Sequence, residues 1–425
     1  MKIPGLDETI RTFGRIGFLS FGGPAAQIAL MHNVLVDEKK WLNEQQFLNA
    51  LSFCMLLPGP EAMQLATYSG WRLHGVIGGL IAGLLFVLPG AVVILSLATI
   101  YAYFGDVELV DALFLGVKAT VLIIVIEALL KVSRRALKLR AHWVLAALAF
   151  VGIFFFAAPF PIIIFCAAIY GFFFTGHAQE AENVDDIKAV NVSILDTFKT
   201  IFIWLSIWVF PVIIIGYYLD CELFNSIASF FSKLAVVTFG GAYAVLAYMA
   251  QDVVTQFGWL TAGEMMDGLG LAETTPGPLI LVTEFVGFLA AFREGGFWFG
   301  VVGAVLTLWV TFVPCFLWIF AGAPYIEQIS AQPKLKGALS AITAAVVGVI
   351  LNLSIWFGLH VLFSNVTQKS TGILTLWQPE LLSIDWRVLI LLIVSGLLLF
   401  RFKIGLMKML GISAGLGWFM ASFLT

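Results

Sequence analysis

The ten residues Met55-Leu-Leu-Pro-Gly-Pro-Glu-Ala-Met-Gln64 interrupt a stretch that otherwise has the composition of a helix. Pro58 and Pro60 each lack an amide hydrogen and clash with the preceding turn, so neither fits inside a regular helix. The flanking segments Phe47–Leu57 and Glu61–Leu73 are predicted to be helical on both sides. One helix therefore ends here and another begins, and the first amides of the new helix have no partner within it. Such a helix N-terminus attracts anions.

The same stretch occurs twice in the chain. Pro276-Gly277-Pro278 follows Pro58-Gly59-Pro60 by 218 residues, and at this offset Phe21-Gly22-Gly23 recurs as Phe239-Gly240-Gly241 and Trp41-Leu42 as Trp259-Leu260. Beyond a short insertion at Ala291–Phe297 the offset becomes 225, which pairs Gly75 with Gly300, Gly78 with Gly303, Pro89 with Pro314 and Ala119 with Ala344. We infer a tandem duplication with a broken helix at the corresponding place in each half. This combination is typical of the binding sites of secondary transporters.

The composition indicates a membrane protein that crosses the bilayer several times. Of 425 residues, 61% are hydrophobic and 12% are charged, with a mean hydropathy of +1.00. An ordinary soluble domain is about 25% charged. The net charge of −3 offers no basic surface for nucleic acid. The four cysteines lie singly in apolar runs and are expected to be buried hydrophobic residues.

Segment lengths predict which helices cross the membrane. Leu42–Leu57 and Glu61–Leu73 are each too short for a hydrocarbon core of about 30 Å, which needs about 20 residues. We expect them to meet inside the protein as half-helices. Gly75–Phe104 and Val107–Leu130 are long enough to span, and two shorter apolar pieces meet at Pro159-Phe160-Pro161.

Three regions follow along the chain. Residues 1–175 are predicted to form the first repeat, residues 176–194 an acidic linker, and residues 195–425 an extra span plus the second repeat. The extra span, Leu195–Tyr218, has no counterpart in the first half. An odd additional crossing would invert the second repeat relative to the first. The fold class that results is an all-α polytopic membrane protein with two inverted repeats and half-helices.

The loop charges support this inversion. Lys131–Arg140 carries five basic residues and no acid, so the positive-inside rule places it in the cytoplasm. The equivalent loop, Phe363–Asp385, holds one Lys and no Arg before Asp385, as expected for an external loop.

Four motifs resemble those of the chromate ion transporter family. They are Phe21-Gly-Gly-Pro-Ala-Ala-Gln27, Leu56-Leu-Pro-Gly-Pro-Glu61 with Gln64-Leu-Ala-Thr-Tyr68, Thr238-Phe-Gly-Gly-Ala-Tyr-Ala-Val245 and Glu273-Thr-Thr-Pro-Gly-Pro-Leu279. The resemblance covers both halves. It implies a carrier of the bacterial inner membrane that exports chromate, confers chromate resistance, and has sulfate as the natural competitor.

The candidate substrate-binding residues surround the two Pro-Gly-Pro breaks and the Phe-Gly-Gly motifs. Helix N-termini, close-approaching glycine backbone and neutral side-chain donors all suit an oxyanion, which only accepts hydrogen bonds. The alternative is that the breaks are kinks that only shape packing. The candidates are Gly22, Gly23, Pro24, Gln27, Pro58, Gly59, Pro60, Gln64, Gly240, Gly241, Thr274, Thr275, Pro276, Gly277 and Pro278.

Charged residues inside apolar segments are the remaining candidates. Lys118 lies within a predicted span, where a charge is costly unless it is paired or functional. It is interpreted as a counter-charge for the anion, or alternatively as a structural partner of Glu61, Glu127 or Glu273. The same three acids are the proton-coupling candidates, with Glu273 first, because an ionised acid would repel a bound dianion. Glu61 has a simpler interpretation, since an acid in the first turn of a helix stabilises the helix dipole.

A secondary carrier working by alternating access is the leading functional interpretation. An oxyanion channel, an uptake carrier for sulfate and, less favoured, a membrane-embedded hydrolase are the alternatives. No His-Glu-x-x-His, serine nucleophile elbow or paired catalytic aspartates are present, so no catalytic residue, metal site or cofactor is predicted and the protein is not expected to be an enzyme. No ATP-binding phosphate loop is present, so coupling must come from a gradient or from a partner ion. The expected partners are chromate or sulfate and the lipid bilayer. The oligomeric state is open, with a homodimer as one option.

Overall fold

The computed structural model describes residues 4–105, 107–175, 193–219, 221–239, 242–326, 332–372 and 374–423. Within these residues the chain forms sixteen α-helices. They are α1 (Leu6–Leu19), α2 (Gly23–His32), α3 (Glu44–Leu56), α4 (Glu61–Phe104), α5 (Glu108–Ala136), α6 (Arg140–Phe156), α7 (Phe160–Tyr170), α8 (Ile194–Leu219), α9 (Glu222–Val237), α10 (Ala242–Gln251), α11 (Ala262–Thr274), α12 (Val282–Gly295), α13 (Phe297–Gly322), α14 (Pro333–Leu362), α15 (Trp386–Gly396) and α16 (Leu406–Phe423). The predicted all-α class is confirmed.

Short segments of other structure join these helices. Leu279–Leu281, Ala323–Tyr325 and Leu381–Ser383 are 3₁₀-helical, and Asn33–Glu38, Gly171–Thr175, Asp252–Gln256 and Leu397–Arg401 are π-helical. The strands β1 (Val366–Thr371) and β2 (Leu374–Pro379) form an antiparallel hairpin with Val366 opposite Pro379. The segment Phe363–Asp385, expected to be a loop, therefore contains a hairpin. Alternating Thr, Lys and Leu side chains suit a strand that is partly exposed on both faces.

The predicted helix breaks are observed. The chain leaves the helical conformation at His74 (φ −137°) and Gly75 (φ 62°), which divides α4 into the two arms predicted as Glu61–Leu73 and Gly75–Phe104. Only glycine adopts the Gly75 conformation without strain. One boundary was predicted wrongly: the basic segment Lys131–Arg140 is mostly the last turns of α5, and only Leu137–Leu139 lies between helices. Arg134 and Arg135 extend the helix because basic side chains near its C-terminus favour the dipole.

Six of the described helices are long and apolar enough to cross a membrane. They are α4, α5, α8, α13, α14 and α16. The chain is accordingly a multi-pass membrane protein. The apolar window of α13 is 72% buried inside the protein, whereas that of α8 is 11% buried. Helix α8 is the extra span, and its exposed Phe, Ile and Tyr side chains form a surface suited to lipid.

The chain forms two compact units, and each unit combines segments from both halves of the sequence. The first unit contains Met1–Ser96, Ala168–Val245 and Thr275–Leu339, and the second contains Leu97–Ala167, Leu246–Thr274 and Ser340–Thr425. In the first unit α12 packs closely on α13, since Gly287 leaves room for the Thr307 side chain and Gly303 for Ala291. In the second unit Gly116 of α5 lies directly against the α16 backbone at Ser413.

Local conformations repeat at the offset found in the sequence. The π-helical segment Asn33–Glu38 corresponds to Asp252–Gln256, and the positive φ of Lys40 (54°) corresponds to that of Gly258 (64°). Past the insertion, the backbone conformation of Gly75 recurs at Gly296 rather than at Gly300. The packing nevertheless keeps the predicted offset of 225, since a Cβ added at Gly78 would meet the Gly70 carbonyl and the His74 side chain, and one at Gly303 would meet the Gly287 carbonyl and the Ala291 side chain. The insertion therefore displaces only the glycine of the turn between α12 and α13.

Most of the predicted acidic linker, residues 176–194, lies outside the described residues. Helix α8 begins at Ile194, close to the predicted start of the extra span at Leu195.

Candidate functional site

Each Pro-Gly-Pro stretch separates two helices in the predicted way. Helix α3 ends at Leu56 and α4 begins at Glu61, while α11 ends at Thr274 and the 3₁₀ turn before α12 begins at Leu279. Gly59 has φ 121° and Gly277 has φ 88°. These positive values favour glycine, and the flanking prolines prevent the helix from continuing.

The two breaks exchange backbone hydrogen bonds with the opposite half of the chain. The Gly59 amide donates to the Thr238 carbonyl at 2.9 Å, and the Gly277 amide donates to the Ser20 carbonyl at 2.8 Å. Ser20 and Thr238 each directly precede a Phe-Gly-Gly motif, and both pairs are related by the same offset of 218 residues. The amides of both central glycines are therefore satisfied within the protein, and they are not the unpaired donors expected from the sequence.

A small pocket lies where these segments meet in the first unit. It is lined by Pro24, Gln27, Gly59, Pro60, Glu61, Ala62, Thr238, Pro278, Leu279 and Ile280. Six of these residues are sequence-predicted candidates, five for substrate binding and Glu61 for proton coupling. A water-sized sphere can reach about 20 Å³ of it. That volume accommodates about one water molecule, so a tetrahedral anion with four oxygens requires a wider site.

The pocket is lined by the first residues of both restarted helices. Glu61 and Ala62 open α4, and Leu279 and Ile280 form the turn that leads into α12. The first amides of α4 have no carbonyl acceptor within their own helix. Two positive helix ends therefore contribute to one pocket, an arrangement that favours an anion.

Two glutamines beside the breaks bind backbone carbonyls in this conformation. Gln27 Nε2 donates to Gly277 O at 2.6 Å, and Gln64 Nε2 donates to Pro58 O at 2.7 Å. The repeat-equivalent positions are Val245 and Val282, so the first half alone supplies these amides. Gln27 must turn before it can donate to an anion, because its two amide hydrogens face the carbonyls of Gly277 and Ser20.

Several buried oxygens of the first unit have no hydrogen-bond partner in the described residues. They are Gln27 Oε1, Gln64 Oε1, Glu284 Oε2 and Thr311 Oγ1. Glu284 lies on α12 and Thr311 on α13, the helix against which α12 packs at Gly287. Unpaired buried polar atoms are costly. Sequence analysis included Gln27 and Gln64 but missed Thr311, because one threonine in an apolar span gives no signal.

Lys118 lies in the second unit and is paired with aspartates. Its Nζ is 3.5 Å from Asp267 Oδ2 and 3.7 Å from Asp111 Oδ1. The acids found beside it are thus Asp267 and Asp111, two residues that were not considered as its structural partners. Sequence analysis missed Asp267 because its neighbours in α11 have the composition of an ordinary helix.

The other predicted residues lie as follows. Glu127 forms an i,i+4 ion pair with Lys131 at 2.7 Å, which gives it a local structural partner. Glu273 is buried near the end of α11, and Thr274 donates to the Leu271 carbonyl. Thr275 is buried. Gly22 (φ 85°) and Gly23 (φ 79°) adopt glycine conformations at the start of α2. Pro276 lies in the second Pro-Gly-Pro break. Gly240 and Gly241 lie outside the described residues.

Comparison with known proteins identifies the family. The family model described as "Chromate transporter" matches residues 8–172 and 225–418. The chain is 31% identical over 344 residues to a chromate transport protein of Pseudomonas aeruginosa, covering 80% of this chain and 77% of that protein. It is 28% identical over 353 residues to a probable chromate transport protein of Synechococcus elongatus, covering 83% and 84%. It is 27% identical over 426 aligned residues to an uncharacterized transporter of Methanocaldococcus jannaschii, covering 98% and 94%.

No solved structure matches the chain. The family model nevertheless covers both halves, including the Phe-Gly-Gly motifs and both Pro-Gly-Pro breaks that line the pocket. On these grounds the chain belongs to the chromate transporter family.

Proposed function

We propose that this protein is a secondary active transporter that exports chromate across the bacterial inner membrane and so confers chromate resistance. The observation that carries the proposal is the pocket at which both restarted helices begin. Two helix N-termini supply partial positive charge without a fixed cation, which suits a tetrahedral dianion. Sulfate has the same shape and charge and is the expected competitor.

The transport cycle follows from the duplication. The two repeats would rock against each other and expose the site to one side of the membrane at a time. The narrow pocket represents a contracted state in this proposal, and the turning of Gln27 and Gln64 toward the substrate accompanies its widening. The amide groups then exchange a backbone carbonyl for an oxygen of the anion, which conserves the number of hydrogen bonds.

The membrane potential supplies a driving force for export. A negative charge leaving a cell whose interior is negative gains about 2.3 kcal/mol per 100 mV. A dianion accompanied by one proton carries a net charge of −1 and still gains from the potential. Glu273 and Glu61 are the carboxylates predicted from the sequence to hold that proton, and Glu61 lines the pocket.

The experiment is uptake of labelled chromate into inside-out membrane vesicles that contain the protein. We expect accumulation that depends on an imposed membrane potential and is reduced by excess sulfate. Glu61→Gln and Glu273→Gln are compared with the unmodified protein at several pH values. Vesicles that equilibrate chromate but never concentrate it would identify a channel instead. Vesicles that do not move chromate would refute the proposed function.

A further inference from the structure

A buried ionic cluster in the second unit involves α5, α11 and the C-terminal end of α4. Asp267 on α11 lies at its centre. Its Oδ2 accepts a hydrogen bond from the Tyr101 hydroxyl at 2.7 Å and lies 3.5 Å from Lys118 Nζ. Lys118 also lies 3.7 Å from Asp111, whose side chain is 76% exposed and therefore well solvated.

The two oxygens of Asp267 have different surroundings. The residue is 2% exposed, and Oδ1 has no hydrogen-bond partner in the part of the chain that the structure describes. A buried carboxylate that is satisfied on one oxygen only is costly, because its remaining lone pairs have lost water without gaining a donor. Oδ1 is therefore a place where a proton can be held.

Other charged or titratable groups lie at the edges of the ion pair between Lys118 and Asp267. Glu264, on the same helix, accepts hydrogen bonds from the Thr261 amide at 2.8 Å and the Thr261 hydroxyl at 3.0 Å at the start of α11. Arg387 is close enough to Asp111 to be influenced by its charge and binds Asp385 directly. Neither group contacts Oδ1 of Asp267 in the described residues, so Lys118 is the direct cationic partner of this carboxylate.

The duplication indicates that the cluster is not required for the repeat architecture. The repeat-equivalent positions of Asp267, Lys118 and Tyr101 are Asn49, Thr343 and Ile326. None of these three residues is charged, yet their helices form. Because buried ion pairs are commonly replaceable by apolar residues of similar volume, one that is present in a single repeat is better explained by function than by stability.

We propose that Asp267, in place of the sequence-predicted Glu273 and Glu61, is the proton-coupling residue of transport and that Lys118 keeps it ionised when no substrate is bound. This inference rests on the proposed function. In the empty state Lys118 and Asp267 carry opposite charges that cancel. In the loaded state Asp267 binds one proton at Oδ1, Tyr101 continues to hydrogen-bond Oδ2, and Lys118 loses its buried counter-charge while the exposed Asp111 stays beside it. One dianion and one proton then move together, with a net charge of −1 per cycle.

The test uses the purified full-length protein in liposomes that contain a pH-sensitive dye. Chromate is added outside at a pH well above that at which chromate itself takes up a proton, and chromate entry and lumenal pH are followed together. We expect the unmodified protein to acidify the lumen as chromate enters. For Asp267→Asn we expect chromate entry to continue, while lumenal acidification falls to the level of protein-free liposomes.

Two further variants make the result specific. Glu264→Gln, which removes an acid one turn away on the same helix, should retain proton movement. Tyr101→Phe removes the hydrogen bond to Oδ2, so Asp267 should bind its proton more readily and the pH of half-maximal transport should rise. If Asp267→Asn does not fold, Tyr101→Phe alone tests the role of Asp267. An unchanged pH profile of transport in Tyr101→Phe would then contradict the inference.

The outcomes separate the inference from the proposed function. Chromate entry without acidification in the unmodified protein would overturn the role of Asp267 and leave chromate transport intact. Acidification that persists in Asp267→Asn would also overturn it. Absence of chromate entry in the unmodified protein would refute the proposed function, and the inference would fall with it.

Discussion

Single glycine and glutamine residues control the geometry of the pocket. Gly59 reaches φ 121° and lies so close to its neighbours that an added Cβ would be 2.8 Å from Gln64 Nε2 and 2.9 Å from Cys315 Sγ. The positive φ therefore disfavours other side chains, and an added Cβ would also require the ends of the Gln64 and Cys315 side chains to shift. The motif residues are required here for steric reasons that a sequence pattern alone does not reveal.

We predict that Gly59→Ala abolishes chromate uptake in vesicles and lowers the free energy of unfolding by about 1–3 kcal/mol through backbone strain. Gly258→Ala is the matched control. Gly258 also has a positive φ (64°) but an added Cβ meets nothing within 4 Å, and Lys40 tolerates the same conformation in the other repeat. Normal uptake by Gly59→Ala would show that the tight break is not needed for transport.

Gln27 links the second Pro-Gly-Pro break to the residue before the first Phe-Gly-Gly motif, since its Nε2 binds the Gly277 carbonyl at 2.6 Å and the Ser20 carbonyl at 3.3 Å. We predict that Gln27→Leu costs about 1–3 kcal/mol of stability, because buried carbonyls lose their donor. The measurement is denaturation of the purified protein in detergent. Gln45→Leu, at an exposed position of α3, should change stability by less than about 0.5 kcal/mol. Equal stability of the two variants would contradict the proposed linking role.

At the scale of elements, helix boundaries follow from local residues, whereas orientation in the membrane depends on the whole chain. The prolines end α3 and α11 where predicted, and Asp385 begins α15 by accepting the Arg387 amide at 2.9 Å. The direction of each repeat across the membrane is a separate matter. Inversion remains a prediction based on the extra helix α8 and on loop charge.

The inversion is tested with single cysteines in a background from which the native cysteines, including the exposed Cys166, have been removed. Lys138→Cys lies between α5 and α6, and Lys369→Cys lies on the exposed hairpin. We predict that a membrane-impermeant maleimide labels Lys138→Cys only from the cytoplasm and Lys369→Cys only from outside. Labelling of both from one side would exclude inverted repeats.

The cap of α15 makes a prediction about pH. Burial by itself would raise the pKa of Asp385, but hydrogen bonds from Arg387 and its charge outweigh burial and hold the pKa below its ordinary value. The ionised carboxylate therefore stabilises the fold above its unfolded pKa of about 4, and this contribution is lost as the pH falls through the folded value. Asp385→Ala should cost about 1 kcal/mol at neutral pH and nothing in strong acid. Thermal unfolding at several pH values measures the loss of stability in Asp385→Ala, and Asp385→Asn is the control that keeps an uncharged cap. A loss of stability that does not depend on pH would contradict the prediction.

At the scale of the whole molecule, the structure represents a contracted state of the proposed site. The pocket has about 20 Å³ of space, and both glutamines are turned to backbone carbonyls. In the proposed mechanism the segments around the pocket therefore separate during transport. This motion must break contacts such as the hydrogen bond from Gly59 to Thr238, which joins the two halves of the chain.

We predict that substrate increases the accessibility of the pocket. Ala62→Cys, in the cysteine-free background, replaces a pocket residue that is 2% exposed. Molybdate, a tetrahedral dianion that does not oxidise thiols, should accelerate its labelling by a small maleimide. Ala66→Cys, one turn further along α4 and fully buried, is the control and should not respond. A labelling rate of Ala62→Cys that is unaffected by molybdate would contradict the opening.

The sequence by itself determined the membrane class, the duplication and the broken helices. Hydropathy indicates whether a helix lies in lipid or in water, and proline interrupts the helix at its own position. Both features can therefore be recognised without knowing the rest of the fold. The local breaks at Ser20-Phe-Gly-Gly, at Pro58-Gly59-Pro60 and at Gly75 are of this kind. The position of the hairpin and the end of α5 could not be recognised from the sequence, because partly exposed strands and charged helix ends give weak patterns.

Only the tertiary structure decided which groups meet. The acceptor of the Gly59 amide is Thr238, and the partner of Lys118 is Asp267, in each case a residue from the other half of the chain. A sequence pattern shows which residues share a helix face, but not which distant helix lies against that face. The buried oxygen of Asp267 and the limited space at Gly59 likewise depend on neighbours that are brought together only when the helices pack.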